Sequence, residues 1–258
     1  MPRALSQLLR LRVVSRRIVR DTVARLVRRT GYEIVSSRRL AHWHFAEHLG
    51  QLFAALEIDC VLDVGANRGQ FVEFLRQDVG YSGRIVSFEP IAELAAALAE
   101  RARGDAQWDV RQEALGSEDA EADLNVMASD NFSSFLRPSA GIVDTFDEWN
   151  KVARVERVCV RRLESIFDEV RDGHDRVFLK LDTQGHDLPA IRGAGRRLDD
   201  VLALQTELSV LPIYDGAVPL TEALSELTGL GFHVTGMFPV NRDKDLRVIE
   251  FDCVMRRV

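Results

Sequence analysis

The chain reads as an α/β protein with a mostly parallel sheet covered by helices on both faces. Three observations predict this. From Val61 onward, short apolar runs of strand length alternate with stretches of helical spacing. Two of the runs, Val61-Leu62-Asp63-Val64 and Val177-Phe178-Leu179-Lys180-Leu181-Asp182, are apolar enough for buried strands, and each carries an acid toward its carboxyl end. The first then breaks into Gly65-Ala66-Asn67-Arg68-Gly69-Gln70-Phe71, a strand, tight turn and first helical turn of the kind that sets a nucleotide-like ligand at a strand's carboxyl end.

The elements follow in order. Residues 3–29 mix apolar residues and arginine at helical spacing, most clearly where Val19, Val23, Leu26 and Val27 share one face. Gly31 ends that stretch, and a second helix runs from about Leu40 to Leu56 into the opening strand. Phe71–Gln77 is the first crossover helix. Arg84-Ile85-Val86-Ser87-Phe88-Glu89-Pro90 is the second strand, stopped by the proline, and Glu93–Arg103 is the next helix. Trp108–Leu115 reads as the third strand. Asp123–Met127 and Arg157–Arg161 flank a Ser/Asn/Asp loop. After Val177–Asp182 come a helix at Ala190–Gly195, a strand at Val201–Glu207, a helix at Leu220–Leu230 and strands at Phe232–Met237 and Val248–Met255.

Length and charge bound the organisation. With 258 residues, 46% of them apolar, the chain can bury one sizeable core and a small appendage. The net charge of -6 hides an asymmetry: residues 1–40 hold eleven arginines against Asp21 and Glu33, so residues 41–258 are strongly acidic. The division expected is a basic amphipathic arm at 1–40 and a domain at 41–258. An acidic body is a poor nucleic-acid surface. Arginines interrupt every stretch that would serve as a signal-peptide core or a bilayer span, and Arg16-Arg17 lacks the apolar run that follows a twin-arginine signal. The arm either lies on an anionic membrane surface or packs its apolar stripe on the body or on a second subunit. Cys60, Cys159 and Cys253, odd in number and without C-x-x-C spacing, read as reduced core residues of an intracellular protein. His44 and His48 have i, i+4 spacing but no H-E-x-x-H context, so they read with His42 as packing or surface residues.

The glycine spacing narrows the ligand. A dinucleotide turn needs G-x-G-x-x-G and a phosphate loop needs G-x-x-x-x-G-K-[ST]; Gly65-x-x-x-Gly69 is neither. Acid first and glycine second, behind Asp63, is the pattern seen in S-adenosylmethionine (SAM) binding. Glu89 ends the second strand, where a carboxylate can accept hydrogen bonds from both hydroxyls of a ribose.

With these stretches in place the sequence resembles the FkbM family of SAM-dependent methyltransferases. The matching residues are Val61 to Gln70, Phe88-Glu89-Pro90, Ala114-Leu115-Gly116 and Leu179-Lys180-Leu181-Asp182-Thr183-Gln184-Gly185, followed by Gly193-Ala194 and Gln205-Thr206-Glu207-Leu208. The resemblance covers about residues 55–255. It implies the class I, Rossmann-like methyltransferase fold, a seven-stranded sheet whose final strand is antiparallel, and O-methylation of sugar or polyketide hydroxyls. It further implies SAM contacts from Asp63, Gly65, Ala66, Asn67 and Glu89, with Gly69 closing the turn and Ala114 and Leu115 near the adenine. Many relatives carry an acid where Gln184 stands and a tyrosine or small residue where His186 stands, so no role transfers to those two positions.

Asp182, His186 and Glu207 are the candidate catalytic residues. Asp182 ends the strand beside the SAM turn and suits the acceptor or the SAM ammonium. His186 has the free pKa best matched to a general base near neutral pH, or else caps the following helix. Glu207 faces the same end of the sheet. Asp182, Asp187 and Glu207 would alternatively assemble a Mg²⁺ site, although no D-x-D spacing supports one and Asp187 suits a helix N-terminus. Asn131, Ser133, Ser134 and Tyr214 form the candidate acceptor wall, Tyr214 by stacking on a sugar ring or by packing its own loop. The function expected is O-methylation of a sugar hydroxyl on a glycolipid, cell-surface glycan or glycosylated natural product, in the cytoplasm and peripherally at the inner face of the membrane. The alternatives are a nicotinamide-dependent oxidoreductase, disfavoured by the missing G-x-G-x-x-G, and a non-catalytic SAM-binding module that docks a glycan biosynthetic complex on the membrane.

Overall fold

The computed structural model describes Val27, residues 29–32, Leu40, and residues 42–128, 132–139 and 151–258. Most of the predicted arm therefore lies outside the described residues, as does Asn131. The chain divides into two units, residues 1–44 and 45–258. In the first, Thr30 Oγ1 donates to Val27 O at 2.7 Å, a turn closed by a threonine hydroxyl.

The second unit is built on seven strands: β1 (Cys60–Val64), β2 (Arg84–Phe88), β3 (Trp108–Arg111), β7 (Val177–Leu181), β8 (Val201–Ser209), β9 (Phe232–Arg242) and β10 (Val248–Arg257). Their order is β3-β2-β1-β7-β8-β10-β9, and only β10 runs against its neighbours. This is the class I methyltransferase sheet. Among the strands that alternate with crossover helices, β1 and β7 are buried along their whole length, which explains why both read as apolar runs.

Helices close both faces. On one, α4 (Leu163–Arg171), α5 (Asp187–Gly193) and α6 (Leu220–Gly229) pack Leu163, Ile166, Phe167, Ile191 and Leu227 against Leu62, Val64, Leu179, Leu181 and Leu204. On the other, α1 (Trp43–Leu56), α2 (Gln70–Phe74) and α3 (Ala92–Ala102) bring Leu49, Phe53, Val72 and Leu98 against Val61, Ile85, Phe178, Ala203 and Val254. In α1 the buried residues Ala46, Leu49, Leu52, Phe53 and Leu56 recur at helical spacing. Each such large side chain contributes about 1.5–3 kcal/mol of transfer free energy.

This second face changes character toward the strands' carboxyl ends. Two residues beyond Val61, Ile85, Phe178 and Ala203, on the same side of the pleat, stand Asp63, Ser87, Lys180 and Gln205, and Asp252 on β10 is paired with Glu207 on β8. Parallel register aligns Asp63, Ser87, Lys180 and Gln205 in one row beside the glycine turn. The row is the floor of the candidate site.

Several elements differ from the sequence reading. The expected strand Trp108–Leu115 splits: β3 stays in the main sheet, whereas β4 (Ala114–Leu115) joins a second sheet, β4-β6-β5, with β5 (Ala120–Met127) and β6 (Val152–Arg161). α4 went unread, although Leu163, Ile166, Phe167 and Val170 carry the i, i+3, i+4, i+7 pattern and are all buried. After α2 the chain continues as a π-helical turn over Leu75–Val79, and after α5 as a 3₁₀ turn over Gly195–Asp200. Cys60 and Cys253 are buried, but Cys159 is only half-buried; all three are free thiols.

Candidate active site

The turn after β1 is held from two sides. Gly65 N–H and Ala66 N–H both donate to Phe88 O at 3.0 Å, and Gly69 N–H donates to Ala66 O at 2.8 Å. Gly65 has φ 76°, and a Cβ there would lie 2.0 Å from Asp182 O, so only glycine lets the end of β7 approach so closely. Asn67 has φ 48°, the left-handed region that asparagine tolerates best after glycine. Its backbone N–H donates to Glu89 Oε2 at 2.7 Å, while Ile91 N–H donates to Glu89 Oε1 at 2.9 Å. Glu89 thus ties the turn to the end of β2, with one backbone donor on each oxygen and a lone pair left on each. Burial pushes its pKa up to about 7 against the pull of those two N–H groups. A carboxylate so placed fits a ribose, whose two hydroxyls would supply the donors it still lacks.

Asp63 was expected to touch the cofactor. The structure places it beneath the turn with no exposed surface, where Ser87 Oγ donates to its Oδ2 at 3.0 Å and Trp108 Nε1 in turn donates to Ser87 Oγ at 3.0 Å. Lys180 Nζ lies 3.0 Å from Asp63 Oδ1 as an ion pair lacking well-aligned hydrogen-bond geometry. The same ammonium donates to Gly65 O at 3.1 Å and lies over the Phe71 ring, 5.4 Å from its centroid. Burial opposes the charge on Lys180, but Asp63 and Asp182 outweigh it and raise its pKa. Lys180 is therefore the post on which the turn rests, a role the sequence reading missed. The signal was a lysine, one of only three in the chain, inside a strand otherwise apolar up to its terminal acid; a buried ammonium demands a partner.

Acids collect at the ends of β7, β8 and β10. The Asp182 side chain is 42% exposed, with Lys180 Nζ 3.6 Å from its Oδ2. Gln184 Nε2 donates to Asp182 Oδ1 at 3.0 Å and to Glu207 Oε2 at 2.9 Å, so one amide joins two of the three predicted catalytic residues. Burial, then Glu250 and Asp182, hold Glu207 well above the ordinary carboxylate range. Burial and Asp182 push Glu250 up to about 7 and Asp252 to about 6.

His186, the third, sits at the N-cap position of α5 without capping it. Its ring instead packs on Phe135, centroids 4.7 Å apart, and burial pushes its pKa down to about 4, which removes the argument from its free value. The end of α5 is instead held by Asp187. Oδ1 accepts from Thr183 N–H at 2.8 Å and from the Thr183 hydroxyl, and Oδ2 accepts from Thr206 Oγ1 at 2.7 Å and Glu207 N–H at 3.1 Å. With both oxygens so used, Asp187 is not placed as the third ligand of the Mg²⁺ alternative. No group of three His, Cys, Asp or Glu among the described residues has the geometry to hold a metal ion.

Of the residues expected to form an acceptor wall, Ser134 and Tyr214 are packed against Gln184 instead. Ser134 is fully buried, its Oγ donating to Gln184 O at 2.7 Å and accepting from Leu136 N–H at 3.0 Å. Tyr214 is 2% exposed, and its single hydroxyl proton is shared between Phe132 O at 2.8 Å and Gln184 Oε1 at 2.9 Å, so its ring packs the loop and offers no face to a sugar. Ser133 is half-buried and accepts from Met127 N–H at 3.3 Å. Ala114 and Leu115, expected near an adenine, are buried in two hydrophobic clusters. A Cβ on Gly193 of α5 would lie 1.9 Å from Gly116 O, so the two glycine motifs meet as a packing contact.

The match to one protein family agrees with this architecture. A model described as the methyltransferase FkbM domain matches residues 63–234, about two thirds of the chain. No curated protein matched. Among solved structures, magnesium protoporphyrin IX methyltransferase from Synechocystis PCC 6803 with bound SAM is 12% identical, covering 93% of this chain and 96% of that one at a TM-score of 0.45. A SAM-dependent methyltransferase from Aquifex aeolicus is 13% identical, covering 86% and 94% at 0.41. Aeropyrum pernix fibrillarin with natively bound SAM is 10% identical, covering 76% and 66% at 0.42. The family match and the strand order carry the assignment: the chain belongs to the FkbM family of SAM-dependent methyltransferases.

Proposed function

We propose that the chain methylates a hydroxyl oxygen of a sugar-bearing acceptor: a glycolipid, a cell-surface glycan or a glycosylated natural product. The observation that carries this reading is the pair Asp182, half-exposed just past β7, and Glu207, largely buried near the end of β8, two carboxylates within 3.0 Å of one amide nitrogen beside the glycine turn. A hydroxyl must lose its proton as it is methylated, and burial beside other acids raises the proton affinity of the Glu207 carboxylate, which makes its ionised form a stronger base.

SAM, when bound, supplies an electrophilic methyl group on a sulfonium. Glu89 would accept hydrogen bonds from the ribose hydroxyls, while Asp63 and Lys180 keep the turn in place below. Asp182 would hold the ammonium of the cofactor or orient the acceptor hydroxyl, and Glu207 would take the proton from that oxygen. Holding the two reactants in line at contact distance provides much of the acceleration. The excess of arginine in residues 1–40 supports a membrane-associated acceptor at the inner face of the membrane. Among the described residues no helix is long and apolar enough to cross a membrane.

Calorimetric titration with SAM and with NAD tests the cofactor, and heat from NAD alone would sink the reading. Transfer of a labelled methyl group to a panel of glycan acceptors tests the reaction; transfer by Glu207→Gln at the wild-type rate would remove Glu207 as the base. Mass spectrometry of glycolipids and polysaccharides from a deletion strain identifies the acceptor by its missing methyl group. Removing residues 1–30 is expected to reduce sedimentation with anionic liposomes and to leave SAM affinity alone. A second reading, a SAM-binding module without catalysis, draws on the burial of Ser134 and Tyr214, and SAM binding with no acceptor labelled would favour it.

A further inference from the structure

Gln184 adopts φ 53°, a left-handed conformation that costs a non-glycine residue about 1–2 kcal/mol. It is kept there by contacts reaching four separate parts of the chain. Its amide nitrogen has two protons, and both meet carboxylates, on Asp182 at the end of β7 and Glu207 on β8. Its amide oxygen accepts from Tyr214, and its backbone carbonyl accepts from Ser134. The two loops bearing those residues are themselves joined: Ser139 N–H donates to Ile213 O at 2.9 Å, and Asp215 N–H donates to Arg137 O at 2.9 Å. The amide orientation is dictated by its neighbours, because only N–H groups can face two carboxylates.

We infer that Gln184 is a positioning residue, a neutral clamp that holds Asp182 and Glu207 at a fixed spacing under the joined loops 132–139 and 211–217. The catalytic meaning of the clamp rests on the function proposed above; the clamp itself does not. Its chemical logic is charge. Glu207, Glu250, Asp252 and Asp187 crowd around Asp182, and Lys180 is the cation among them, already engaged with Asp63. Hydrogen bonds donated to a carboxylate favour its ionised form, so one amide supplies two donors without adding a charge.

The test is a ¹³C NMR titration of side-chain carboxyls in the full-length chain, with Glu207 assigned through Glu207→Gln. Gln184→Met keeps the length of the side chain and donates nothing; the Glu207 midpoint is expected to rise by about one pH unit. Tyr214→Phe, which frees the amide oxygen, is expected to raise it by less. An unchanged midpoint in folded Gln184→Met would overturn the clamp, and if that variant does not fold, an unchanged midpoint in Tyr214→Phe would do so. SAM calorimetry at pH 6 separates the two claims. A roughly tenfold loss of affinity in Gln184→Met supports the link to the cofactor site, and retained affinity overturns that link. Absence of SAM binding by the wild-type chain would count against the proposed function, leaving the clamp to the NMR result.

Discussion

Replacing Lys180 by methionine should strand a buried charge beneath the glycine turn. Lys180 and Asp63 side chains are 5% and 0% exposed, with charges 3.0 Å apart. At an effective dielectric of about 20 the pair is worth about 5–6 kcal/mol of Coulomb energy before desolvation. Methionine keeps the stem packed near Phe71 but leaves Asp63 with Ser87 alone. Removing one partner of a buried pair strands the other charge, so urea denaturation should show Lys180→Met destabilised by about 3–4 kcal/mol, within the usual range for breaking such a pair. Asp63→Asn combined with Lys180→Met should recover part of the loss. A loss below about 1 kcal/mol would refute the view that this pair supports the turn.

Glu89→Gln keeps the shape but removes the charge on which ribose hydroxyls would converge, and SAM affinity should fall about 10- to 100-fold by calorimetry. Since Glu89 titrates at about 7, wild-type SAM affinity should weaken as pH falls from 8 to 6, and a flat profile would argue against ionised Glu89 as the ribose acceptor. Glu89 and Glu250, pushed up to about 7, and Asp252, pushed to about 6, contribute stability that is present in acid and lost as pH rises through those values. His186, pushed down to about 4, acts oppositely, losing stability as pH falls below 6.5. Three such carboxyls outweigh the one histidine, so the thermal midpoint of the ligand-free protein should fall as pH rises from 5 to 8, and Glu250→Gln should lessen that fall. Gly193→Ala would set a methyl group 1.9 Å from Gly116 O, and a cost of about 1–3 kcal/mol is expected from denaturation curves; a neutral substitution would contradict the packing described for α5.

Much of the fold was legible in the chain because periodicity and strand-ending residues are local signals. The buried runs of β1 and β7, the glycine turn, the stop at Pro90 and the alternation with helices all act within a few residues, and each is where the spacing put it. α4 shows that even a local signal can be passed over, since its apolar pattern was complete. The break of Trp108–Leu115 into two sheets was not local: it depends on β6, more than thirty residues downstream, pairing with β4.

The candidate site divides along the same line. That Asp63, Glu89, Asp182 and Glu207 lie toward the carboxyl ends of strands was readable from the chain, and parallel strands then place all four at one edge of the sheet. Which of them face a ligand was not readable, since that depends on partners far away in sequence. Asp63 is withdrawn by Lys180, Asp187 by Thr183 and Thr206, and Tyr214 and Ser134 by Gln184. A polar residue at a strand end looks the same in sequence whether it meets solvent or a buried partner; the difference is the desolvation that packing imposes and the hydrogen bonds that offset it. Composition and spacing thus decided the sheet, the turn and the cofactor class, and only tertiary contact decided which acids remain available for chemistry.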